Sequence, residues 1–105
     1  MDETVHHTGP IWVWRAQEKG SWHFITIDGE AGEALTGIAL MRKFEFGRRA
    51  GFGSLKVLAR IGESEWNTSV FPDKKRGWLL PVKAAIRRAE NLVPGDEFAL
   101  SVTPL

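Results

Sequence analysis

Apolar and polar positions alternate along six stretches of this chain, and two longer stretches repeat at helical spacing instead. In 11–16, Trp12 and Trp14 share one side of an extended segment and Ile11, Val13 and Arg15 the other. After the turn Glu18-Lys19-Gly20-Ser21, residues 22–27 resume the alternation, so the two segments read as a hairpin. Asp28 is placed to cap a helix over 30–43 that carries Leu35, Ile38 and Met41 on one stripe, with Gly32 and Gly37 weakening it. Strands follow at 55–61, with Leu55, Val57, Ala59 and Ile61 inward, and at 65–71, with Trp66, Thr68 and Val70 opposed to Asn67, Ser69 and Phe71. The polar turn 72–77 leads into a short strand at 78–80. Pro81 suits the first turn of a second helix, because its missing N–H is no loss there. Val82, Ala85, Ile86 and Ala89 form the apolar stripe of that helix. Pro94-Gly95-Asp96 closes it, and 97–103 alternates once more.

Six strands and two helices predict a mainly β fold, a small six-stranded split β-barrel with two short α-helices. Residues 1–10 show no periodicity and end in Gly9-Pro10, which predicts a flexible N-terminal arm ahead of a single domain at 11–105.

Composition narrows the function classes. The chain has 105 residues, enough for one unstapled core, and no cysteine, which removes disulfides, thiolate metal sites and a cysteine nucleophile. No apolar run approaches the ~18 residues of a membrane helix, and the acidic start MDET is unlike a secretory leader, so a cytoplasmic protein without a membrane partner is expected. Net charge is +1, but residues 1–41 carry two basic and six acidic side chains while 42–105 carry twelve and seven. That asymmetry points to a local anion-binding face.

The motifs give little support to catalysis. The glycine-rich loop 47–54 lacks the Lys and the following helix of a phosphate-binding loop, so its glycines serve a tight turn into the strand. His6, His7 and His23 lack carboxylates at ligand spacing, and neither a metal nor a cofactor is expected. Ser54, Ser69, Asp73 and Asp96 have no marked base beside them; a small hydrolase or isomerase would need a buried Ser or Asp next to His23. The basic residues are the better candidates: Arg48, Arg49, Lys56, Arg60, Lys74, Lys75, Arg76, Lys83, Arg87 and Arg88. Lys56 and Arg60 share a strand face and Lys83 and Arg87 a helix face, while Trp66, Phe71 and Trp78 lie close by in sequence as core rings or stacking platforms. A helix start at 81–83 beside Lys74–Arg76 would add a partial positive charge.

These segments resemble a known family. GFGSLKV, then W-x-T-S-V-F-P-D-K-K-x-G-x-x-L-L-P-V-K-A-A-I-R-R-A-E, then P-G-D, are similar to the domain of unknown function 1905 family, most specifically over 49–96. The marked positions are Gly51, Phe52, Gly53, Ser54, Lys56 and Val57; then Trp66, Thr68, Ser69, Phe71, Pro72, Lys74, Lys75, Leu80, Pro81, Val82, Lys83, Ala85 and Arg87; then Gly95 and Asp96. Leu55 departs from the β-branched residue expected at its position. The resemblance implies a small bacterial or archaeal split barrel, in some members fused to a domain linked by name to bacteriocin protection. It implies no activity, cofactor or catalytic residue.

The sequence therefore predicts a non-catalytic binding module for an anionic ligand, either a nucleic acid or a phosphorylated or carboxylated small molecule. Arg49, Lys56, Lys74, Lys75, Lys83 and Arg87 are the expected anion contacts, and Trp66 or Phe71 the apolar one. The competing expectation is a protein-interaction or self-assembly domain, such as a homodimer.

Overall fold

Strand alternation closes on itself in the computed structural model, which describes residues 3–16, 20–46 and 53–105. The elements are β1 (Val5–Ala16), β2 (Gly20–Ile27), α1 (Gly29–Phe46), β3 (Leu55–Ile61), β4 (Ser64–Asp73), β5 (Gly77–Pro81), α2 (Ala84–Ala89) and β6 (Glu97–Pro104). The six strands form a closed antiparallel barrel in the order β1-β2-β5-β4-β3-β6. Where neighbouring strands pair around the ring, closure leaves no sheet edge to pair with other chains.

Inward positions are those the period-two pattern marks. Ile11, Ile25, Ile27, Val57, Ala59, Val70, Leu80 and Val102 are at most 1% exposed, with Trp66 and Trp78 buried beside them. Leu35 of α1 adds a fully buried side chain, and Trp78 Nε1 donates to Thr36 Oγ1 at 3.0 Å, fixing α1 to β5. A Cβ on Gly32 would lie 2.8 Å from the Ile27 carbonyl, so this glycine lets the first turn of α1 sit against the end of β2.

Three expectations change. The N-terminal arm is a strand from Val5 on: Val5 to Pro10 pair with Val102 to Glu97, and Val5 is buried. Its mixed sequence hides a strand because Gly9 and Pro10 interrupt the pattern while still fitting the ladder. Pro81 is the last residue of β5, opposite Phe24, and α2 begins only at Ala84. Met41 is 61% exposed, since six residues after Leu35 a helix has turned about 120° off the stripe.

Candidate ligand-binding cleft

β5 is the shortest strand of the barrel, five residues between the eight of β2 and the ten of β4. Its ladder with β4 runs from Phe71↔Leu79 to Asp73↔Gly77. Continuing that register would set Ser69 opposite Pro81, which has no N–H to give. On the other side, β5 stays with β2 through Phe24↔Pro81, and Val82 N then donates to His23 O at 2.9 Å. Past that point the chain turns away into α2.

A cleft of about 690 Å³ lies where the wall parts, lined by Ser21, Trp22 and His23 of β2, by Trp66, Asn67, Thr68, Ser69 and Phe71 of β4, and by Pro81, Val82, Lys83, Ala84 and Arg87. Residues from both faces of β4 line it, the inward Trp66 and Thr68 as well as the outward Asn67, Ser69 and Phe71. An opening beside the length of β4 left unpaired by β5 admits both. The volume falls in the range of small-ligand sites.

The electrostatics of this cleft are one-sided. Among the described residues, Lys83 and Arg87 are its charged lining residues and no carboxylate lines it. Arg87 is half-buried; its Nε donates to Val82 O at 3.2 Å and its Nη1 donates to His23 Nε2 at 3.2 Å. Because guanidinium only donates, Nε2 must accept, which puts the neutral imidazole hydrogen on Nδ1. Nδ1 is buried without a hydrogen-bond partner. Burial first, then the Arg87 charge and then Arg15, hold the His23 pKa below its ordinary 6.5. The ion-pair contacts among the described residues, His7–Asp28 and Arg42–Glu3, leave Lys83 and Arg87 without an acidic partner.

The sequence-based candidates separate in space. Trp66, Phe71, Lys83 and Arg87 meet in the cleft. Trp66 is a core ring with one side on the cleft, and Phe71 is 45% exposed at its lip. Lys56 is exposed on the outer face of β3, opposite Ser69. Lys74 and Lys75 stand on the β4–β5 turn, at the far end of β5 from the cleft, a strand length of about 13 Å. Asp73 Oδ1 accepts from the backbone N–H of Lys75 at 2.9 Å and of Arg76 at 3.0 Å, shaping that turn. Lys75 lines a second hollow with Trp12 and Asp28, and Arg76 lies 4.8 Å over the Trp12 ring. Arg60 Nε donates to Gly62 O, Arg88 is exposed on α2, and Trp78 belongs to the core. Arg48 and Arg49, with most of the glycine-rich loop, lie outside the described residues. A helix start at 81–83 is replaced by strand and extended chain, so α2 adds no helix charge beside Lys74–Arg76.

Sequence reasoning passed over Trp22, Asn67 and Thr68 as cleft residues and gave His23 no binding role. The short strand ending in Pro81, between two longer neighbours, is the signal that would have found them. Ser21 and Ser69 share the cleft with His23, yet neither ring nitrogen takes a serine hydroxyl: one faces Arg87 and the other has no partner. No group of three or more metal-ligating side chains gathers among the described residues.

The sequence model of the Domain of unknown function (DUF1905) family matches residues 8–102, nearly the whole chain. The chain belongs to the DUF1905 family. A search of curated proteins gives no match. No helix among the described residues is long and apolar enough to cross a membrane.

Proposed function

We propose that this DUF1905 chain is a binding module whose wall cleft takes an anionic ligand, a carboxylate or a phosphate. The observation that carries the proposal is Arg87: a half-buried guanidinium, positioned by Val82 O and His23 Nε2, with no acidic partner among the described residues. A partly desolvated charge without a counter-ion is unfavourable, and a bound anion relieves it. After its two contacts Arg87 keeps three N–H groups for a ligand. Lys83 adds a second charge at the same cleft, and Trp22, Trp66 and Phe71 supply apolar walls. A concave site of this size favours a small group over an extended nucleic-acid backbone, which would need the scattered basic residues on one face. Lys74 and Lys75 therefore drop out of the proposed contact set.

Intrinsic fluorescence titration with benzoate and phenyl phosphate tests the proposal, since Trp22 and Trp66 line the cleft. A saturable change in the wild type, lost in Lys83→Glu and retained in Lys74→Glu/Lys75→Glu, is the expected result. Equal responses in all three proteins would contradict it.

A second reading has its own observation. Leu40, Met41 and Phe44 are 54%, 61% and 81% exposed and cluster within about one turn of α1, an apolar surface that a second copy would cover. Sedimentation equilibrium decides it: a dimer that Phe44→Glu dissociates supports self-assembly, and a monomer at all concentrations removes it.

A further inference from the structure

We infer that the anion this cleft takes is the terminal carboxylate of an extended peptide, which enters as a short strand between β2 and β4. The inference rests on the anion reading above and adds the rest of the ligand.

The geometry comes from the ladders. β2 and β4 both flank β5, so they stand about 10 Å apart, two strand spacings. Both run past the end of β5 on the same side. Gly20 to Trp22 lie beyond the β2–β5 ladder, which ends at Phe24↔Pro81, and Ser64 to Val70 lie beyond the β4–β5 ladder, which ends at Phe71↔Leu79. Those β4 residues pair with β3, Ser64↔Ile61 through Val70↔Leu55. The chain leaves the lane at Lys83, still extended (φ −71°, ψ 159°), and turns into α2. The cleft opens between these stretches, lined by Ser21 to His23 of β2 and by Trp66 to Ser69 of β4.

Three features select the occupant. A lane bordered by strand backbone on both sides matches an extended main chain, whose N–H and C=O groups alternate toward the two walls. Lys83 and Arg87 stand where the line of β5 ends, so a segment entering from the open side meets them with its terminus. Their charge matches a carboxylate, which accepts two parallel N–H bonds from one guanidinium. Trp22 and Phe71, 52% and 45% exposed, line the cleft beside the end of β5 and offer apolar contact near the peptide's terminus. A compact anion such as phosphate would satisfy Arg87 but leave both rings and both backbone borders unused.

A display library of random six-residue C-terminal peptides, selected on the protein, supplies the probes. Selected peptides are then titrated by fluorescence as free acids, as C-terminal amides and with alternate backbone amides N-methylated, beside benzoate and phenyl phosphate. The inference predicts that the amide binds at least tenfold more weakly than the acid, that N-methylation weakens binding similarly, and that Lys83→Glu abolishes the selection. Arg87→Gln should do the same; Lys83 is exposed, so its variant keeps the test valid if the Arg87 variant misfolds. If benzoate or phenyl phosphate binds in a Lys83-dependent way but no peptide is enriched, or acid and amide bind alike, the peptide inference is overturned and the anion proposal stands. If neither peptides nor small anions bind, both are overturned.

Discussion

Arg87 is held in place by the protein's own atoms before any ligand arrives, and its neighbour His23 carries the consequence. Neutral His23 accepts from Arg87 through Nε2; a second proton there would break that contact and set two positive charges side by side. Since its folded pKa is lowered, the unfolded chain binds more protons at this site as pH falls below 6.5. The stability due to neutral His23 is therefore complete above that value and is lost as pH drops toward the folded pKa. Urea unfolding from pH 7.5 to 5 should show the midpoint falling more steeply for the wild type than for His23→Gln, whose amide oxygen still accepts from Arg87. Parallel curves would contradict this account. For binding, Arg87→Gln should weaken benzoate or phenyl phosphate by about tenfold to hundredfold, the range for hydrogen bonds to charged groups, as measured by fluorescence titration. Gly77 sets the opposite end of β5: its φ is +92°, and a Cβ would lie 2.6 Å from Ile27 O. Gly77→Ala should lower stability by about 2–3 kcal/mol in urea unfolding without changing the cleft's charge.

At the scale of elements, strands with a strict period of two were legible in the sequence. The four inward residues of β3, Leu55, Val57, Ala59 and Ile61, are all buried as their alternation requires. The N-terminal half of β1 was not legible, because a strand that turns from one ladder to another need not alternate cleanly. Val5 to Pro10 pair with β6, and Ile11 to Ala16 with β2. Deleting residues 1–8 should therefore destabilise the barrel by about 2 kcal/mol or more, from the buried Val5 side chain and the lost ladder. Urea unfolding checks this; an unchanged midpoint would restore the picture of a dispensable arm. Pro81 shows the limit of a local rule. Proline fits a first helical turn and a strand end equally well, and the choice is made by its pairing with Phe24 across the sheet, which no local pattern encodes.

For the whole molecule, topology decides which charges act together. The sequence marks ten basic residues between 48 and 88, and the barrel distributes the described ones over the cleft, the β4–β5 turn and the outer wall. Lys74 and Lys83 are nine positions apart in sequence, with the length of β5 between them. Sequence proximity suggested one basic face, while the pairing of β5 with its longer neighbours sets Lys83 and Arg87 at the cleft, apart from the β4–β5 turn. Family membership and fold could be read from 49–96 because that region includes strands β3 to β5, α2 and the turns between them. The cleft could not, because a gap in a wall depends on relative strand lengths and register.

The most direct test of the central claim is amide chemical-shift mapping by NMR of the uniformly ¹⁵N-labelled chain, titrated with benzoate and phenyl phosphate at low salt. The account predicts saturable shifts concentrated at Trp22, His23, Asn67 to Ser69, Lys83 and Arg87, with the Lys74 to Gly77 turn unmoved. Shifts centred on that turn, or none at the cleft, would contradict it.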